Sequence, residues 1–118
     1  MRIAIIGSSQ YKDMIAGHAV RLIVQGHEVR APAFDDFEGL DELGVCEYNR
    51  SIIEWAEEVH IFWDQRSMGT IFDFGMAFAL RKPVKVVYLE KKTFAGVMKK
   101  YEELREASKS QGVNKCHG

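Results

Sequence analysis

The stretch Asp64-Gln-Arg-Ser-Met-Gly-Thr-Ile-Phe-Asp73-Phe-Gly75 constrains the chain most, because it joins its most apolar strand-like run to its most apolar helix-like run. Before it, Val59-His-Ile-Phe-Trp63 is short, β-branched and aromatic, the composition of a strand buried on both faces. After it, Ile71 to Leu80 carries Asp73 as its one charge, which predicts a helix sunk into a core. In a parallel α/β sheet, ligands bind where a loop leaves the carboxyl end of a strand and enters a helix. This loop gathers Asp64, Arg66, Ser67, Gly69, Thr70 and Asp73.

Strand and helix signals alternate along the rest of the chain. Arg2 to Ile6 is an apolar run ending at Gly7-Ser8-Ser9, and from about Tyr11 to Gln25 the residues Met14, Ile15, His18, Ala19, Leu22 and Ile23 recur at helical spacing. Gly26 is a natural stop for that helix. Glu28 to Pro32 reads as a second strand, nearer an edge because it ends in proline. Phe34 to Gly44 crowds Asp35, Asp36, Glu38, Asp41 and Glu42, and reads as a solvated acidic loop. It lacks the ligand alternation of a divalent-metal loop. A helix from about Glu47 to Glu57 places Tyr48, Ile52, Trp55 and Ala56 on one face. A fourth strand, Lys85 to Leu89, is entered through Pro83, an amphipathic helix runs from about Phe94 to Ser108, and Lys109 to Gly118 reads as a polar tail.

Strands separated by helices of this length imply parallel pairing. The predicted fold is α/β, a small Rossmann-like or flavodoxin-like three-layer sandwich with a parallel sheet of four or five strands. At 118 residues the chain supports one core, so residues 1–118 are expected to form a single domain. A net charge of -1 with no basic stripe argues against nucleic acid as a partner and for a small molecule. No apolar run approaches membrane-spanning length, and Met1 to Gly7 is too short for a signal peptide. Cys46 and Cys116 lie in no metal-ligand spacing, so a reduced, cytoplasmic protein without a metal or other cofactor is expected.

Asp73 is the group with the sharpest two readings. A carboxylate in the first turn of a buried helix can serve as a nucleophile or a general base. Equally, Thr70-Ile-Phe-Asp73 fits a capping box in which the carboxylate answers the helix dipole. Ser67 and Gly69 fit either a phosphate site at a helix start or an ordinary turn. Asp64 could orient a ligand hydroxyl, or serve as a loop carboxylate paired with Arg66. Gly7-Ser8-Ser9 matches no full phosphate-loop pattern, although as the first loop of a parallel sheet it would face the same pocket. His18, His27 and His60 read as surface or packing histidines, and Trp55, Trp63, Phe72, Phe74 and Phe78 as core, with Trp63 or Phe72 able to stack on a base from a pocket rim.

The run Ser67-Met-Gly69-Thr-Ile-Phe-Asp73-Phe-Gly75-Met-Ala77, followed by Lys82-Pro83-Val84, resembles the signature of the nucleoside 2-deoxyribosyltransferase superfamily, which includes the 2′-deoxynucleoside 5′-phosphate N-hydrolases. Gly7-Ser8 is similar to that superfamily's first loop, and Gly26-His-Glu-Val29 with Pro32 to its second-strand entry. The resemblance implies cleavage of an N-glycosidic bond by a carboxylate nucleophile at Asp73. It implies a 5′-phosphate held by Ser67, Gly69 and Ser8 or Ser9, with Gly7 and Thr70 also among the substrate-binding residues, and a homodimer or larger assembly. Two positions depart from the pattern. Asp73 replaces a glutamate and is one methylene shorter, a misplacement that can cost ~10²-fold. Asn49 stands where the family has a proton-transferring aspartate, so either Asp64 or another group substitutes or the ligand is bound without efficient hydrolysis.

Three functions follow as expectations: a nucleotide or nucleoside N-glycosidase or deoxyribosyltransferase-like enzyme, a catalytically impaired nucleotide-binding module, and a phosphoribohydrolase-like enzyme. The last rests on a loose echo of a Gly-Thr-x-x-Glu turn in Gly69-Thr70-x-x-Asp73.

Overall fold

Four parallel strands, β1 (Arg2–Gly7), β2 (Glu28–Arg30), β3 (Glu58–Trp63) and β4 (Val84–Leu89), pair in the order β2-β1-β3-β4. They alternate with helices α1 (Lys12–Val24), α2 (Glu42–Trp55) and α3 (Met68–Ala79), and α4 (Phe94–Ser110) is the last element of the described residues. A single 3-10 turn, Ser9–Tyr11, precedes α1. This computed structural model describes residues 1–34, 39–91 and 94–110, and positions 35–38, which hold Asp35, Asp36 and Glu38 of the acidic stretch, positions 92–93 and the tail from 111 lie outside them. The architecture is that of a small Rossmann-like or flavodoxin-like α/β fold, and none of its described helices is long and apolar enough to cross a membrane.

Strand alternation divides the core into two layers. Ala4 and Ile6 of β1 and Val59 and Ile61 of β3 meet Ile52, Ile53 and Ala56 around α2 and Ala77 of α3. The opposite face sets Ile5 and Phe62 against Tyr11 and Ile15 at the start of α1. Both faces of β1 and β3 are therefore covered, which accounts for their nearly unbroken apolar runs. β2 is a three-residue edge strand, as its proline suggested.

The α1 layer also holds a polar chain. His60 Nδ1 lies 2.8 Å from His18 Nε2, and His60 Nε2 lies 2.8 Å from Glu58 Oε2. Burial, together with His60, Arg21 and Lys85, lowers the His18 pKa. Across the sheet edge, Tyr11 Oη donates to Glu90 Oε2, and burial with this carboxylate pushes the phenol up to about 12.

Several local readings are corrected by the fold. The acidic stretch does not remain a loop to Gly44. Asp41 accepts a hydrogen bond from Gly44 N at 2.7 Å and starts α2 at Glu42, more than a turn before the apolar period becomes obvious. α3 is not sunk on all sides: Phe72 is 56% and Phe78 73% exposed, so neither belongs to the core. The helix packs through Thr70, Asp73 and Ala77 on one stripe. A capping box beginning at Thr70 is also absent, because Ser67 is the N-cap and accepts from Thr70 N at 3.2 Å. α4 is the predicted amphipathic helix, but all its described side chains are exposed. Its apolar stripe of Phe94, Val97, Met98, Tyr101 and Leu104 faces solvent.

Gly7 lets β1 leave the sheet beside β3. A Cβ there would sit 2.9 Å from Phe62 O and 3.0 Å from Ile15 Cδ1 and Phe62 Cβ. The first of these is backbone carbonyl in a paired strand, so it cannot swing away. Gly7→Ala is expected to destabilise the fold by about 1–3 kcal/mol, read as a lower thermal midpoint. An unchanged midpoint would mean that β1 and β3 can separate locally without loss.

Candidate active-site cleft at the carboxyl edge of the sheet

The first three strands all release their loops at one sheet edge, and those loops enclose a cleft of about 430 Å³. Gly7, Ser8 and Ser9 come from the end of β1, Ala33 and Phe34 from the segment after β2, and Ser67, Gly69 and Thr70 from the junction of β3 and α3. Asn49 of α2 and Asp73 of α3 line the same cleft. Eight of the nine sequence-predicted site residues thus converge, although up to 66 positions separate Gly7 from Asp73 (73 − 7 = 66). A larger groove of about 780 Å³ lies beside α4 and holds none of them.

Asp73 sits one and a half turns into α3 and is 6% exposed. Burial pushes its carboxyl up to about 7, against the opposing pull of a hydrogen bond from Asn49. A carboxylate so placed divides between protonated and ionised forms near neutral pH. Its ionised form is a nucleophile with little water to displace.

Asn49 is a clamp with no hydrogen left over. Its Oδ1 accepts from Ala33 N at 2.9 Å, while Nδ2 donates to Ala33 O at 3.3 Å and to Asp73 Oδ2 at 3.2 Å. A side-chain amide has two N–H donors, and both are engaged. The residue therefore ties the β2–α2 connection to the carboxylate of α3. Its 4% exposure fits this positioning task.

Asp64 is placed differently. Its Oδ1 accepts from Arg66 N at 2.9 Å and Ser67 N at 2.8 Å, and its Oδ2 accepts from Gln10 Nε2 at 2.7 Å. Burial alone would raise its pKa, but backbone N–H donors from Arg66, Ser67 and its own residue outweigh that and hold it below the usual range. The partner on Arg66 is its backbone rather than its guanidinium. Asp64 is not among the residues that line the cleft. It stays ionised and shapes the loop that presents Ser67.

The loop ends in a donor-rich helix start. Ser67 Oγ lies 2.8 Å from Thr70 Oγ1 and caps α3, while a Cβ added to Gly69 would have no atom within 4 Å. The leading N–H groups of a helix have no intrahelical acceptor and suit an anionic group. Among the described lining residues there is no lysine or arginine. An anion would accordingly be held by hydroxyls and backbone N–H groups rather than by ion pairs. Trp63 is taken up structurally, its Nε1 donating to Ser67 O at 3.2 Å, whereas Phe72 is on the cleft wall.

Phe34, Glu42, Cys46 and Met68 also line the cleft without having been singled out in sequence. A helical signal existed for two of them: Glu42, Cys46 and Asn49 lie four and three residues apart, on one face of α2. A helix expected only from about Glu47 leaves Glu42 and Cys46 off that face, whereas α2 starts at Glu42. Among the described residues, no group of three or more histidine, cysteine or acidic side chains is arranged to hold a metal ion. No protein-family model matches the chain, and no curated protein matches its sequence.

Proposed function

We propose that this cleft takes a nucleotide or nucleoside and that the protein is an N-glycosidase or deoxyribosyltransferase-like enzyme. Asp73 is the nucleophile: one oxygen bonds to the anomeric carbon as the bond to the base breaks, leaving a glycosyl-carboxylate that water or an acceptor base then resolves. The observation that carries this reading is the carboxyl of Asp73, buried yet lining a cleft and pushed up to about 7, in a cleft that Ser8, Ser9 and Ser67 also line. Perturbed carboxylates in clefts favour chemistry over structure. Ser67, Gly69 and Thr70 hold a 5′-phosphate with Ser8 and Ser9, Phe72 offers a face for the base, and no metal or organic cofactor enters. The exposed apolar stripe of α4 favours assembly into a homodimer or larger oligomer.

A second reading has its own support. Asn49 has no proton to transfer and both its amide hydrogens are engaged, which favours a nucleotide-binding module that has kept the pocket and lost turnover. Chromatography for free base, after incubation with each deoxynucleoside monophosphate, separates the two. Release of base supports the enzyme. Binding by thermal shift with no release supports the module, and release from ribonucleotides modified at N6 with deoxynucleotides inert supports the phosphoribohydrolase-like alternative.

A further inference from the structure

We infer that Glu42 is the proton-transfer group of this cleft, giving a proton to the departing base and taking one from the attacking water. The inference rests on the glycosidase reading above. That reaction needs an acid as well as a nucleophile, since a nucleobase leaves poorly as an anion. The residues that might have supplied the proton do not. Asn49 has none to give. Asp64 is kept ionised by backbone donors and does not line the cleft. Among the described residues, the titratable groups on the cleft wall are Asp73, Cys46 and Glu42, and a thiol is a weak donor.

Glu42 occupies the first turn of α2, with its carboxylate in no hydrogen bond or ion pair to any described residue. Asn49, seven residues on, marks where Asp73 stands, because the two touch at 3.2 Å. Seven residues of α-helix span about 10 Å. A near-attack approach of the nucleophile uses about 3 Å of that, and a hydrogen bond to the acid about 3 Å more. The remaining ~4 Å is the breadth of a flat ring, seated beside Val45 and Phe34 with its glycosidic bond toward Asp73. This places the proton on a ring atom away from the glycosidic nitrogen, where nucleobases are basic. In the first step the C–N electron pair goes to the base as Glu42 protonates it and Asp73 bonds to carbon. In the second, the Glu42 carboxylate removes a proton from water, the water oxygen bonds to the anomeric carbon, and Asp73 leaves as the carboxylate.

The test compares Glu42→Gln with the parent on two substrates: a deoxynucleoside monophosphate, and a p-nitrophenyl deoxyriboside phosphate whose leaving group needs no proton. Base release from the nucleotide is expected to fall ~10²- to 10³-fold. The first-turnover burst of p-nitrophenol, which needs no acid, and the thermal shift given by the nucleotide stay near parental values, with p-nitrophenol release after the burst slowed because water then lacks its base. Parental nucleotide turnover in the variant, or a p-nitrophenol burst slowed as much as base release, overturns the role of Glu42. A parent protein that releases neither base nor p-nitrophenol instead sinks the glycosidase reading, and the inference with it.

Discussion

Asp73→Ala is expected to abolish base release, by about 10⁴-fold or more if the carboxylate forms the covalent bond, while leaving nucleotide binding detectable by thermal shift. The parent's pH dependence should carry the same signature. Attack requires the ionised form, and burial sets that ionisation at about 7. Turnover is thus expected to rise as pH passes upward through about 7, in contrast to a surface carboxylate that is fully ionised well below it. Base release that persists in the alanine variant would remove Asp73 from the reaction.

The same group makes a claim about stability that does not depend on function. A carboxyl whose pKa is raised on folding stabilises fully below its unfolded value of 3.8 and loses that contribution as pH climbs toward about 7. The gap corresponds to about 4 kcal/mol as an upper bound. Asp73→Asn, which cannot ionise, should therefore raise the thermal midpoint relative to the parent at pH 8 and match it near pH 4. A constant difference between the two proteins across that range would show that ionisation of Asp73 is not linked to folding.

Asn49→Asp is the second substitution with a large expected effect, and a harmful one. An aspartate at 49 restores the residue type that the superfamily resemblance would lead one to expect. In this fold, however, it would set a second carboxylate within hydrogen-bonding distance of Asp73 and remove the donor to Ala33 O. Two buried carboxylates in contact cannot both ionise freely, so the pair would hold one proton between them and push the raised member higher still. The expected cost is about 2–4 kcal/mol at neutral pH, with turnover shifted to higher pH rather than improved. Thermal unfolding of the variant at pH 5 and pH 8 checks this, because the penalty should shrink at the lower pH. A variant as stable as the parent and faster at pH 7 would mean that residue 49 can donate a proton, and would displace Glu42 from that role.

The parallel three-layer fold was legible because β1 and β3 are covered on both faces, which forces them to be nearly all apolar, and because their helices are long enough to demand crossovers. The cleft was legible for the same reason, since loops at the carboxyl ends of parallel strands share an edge. What could not be read was how much of each helix the fold covers. Periodicity reports apolar spacing, not whether a neighbour exists: Phe72 and Phe78 look like core in a string of letters, yet both are exposed, Phe72 at the cleft wall and Phe78 away from it. The two acidic residues before and within α3 show the same limit. Asp64 and Asp73 are indistinguishable as carboxylates near a loop, yet backbone donors within hydrogen-bonding distance hold one below the usual range, while burial holds the other far above it. Sequence by itself determined the alternation of strands and helices along the chain and the set of polar groups brought to one edge. The tertiary structure decided which carboxylate faces the cleft, because the groups that bury Asp73 and bind its carboxyl, Asn49 among them, are far away in sequence.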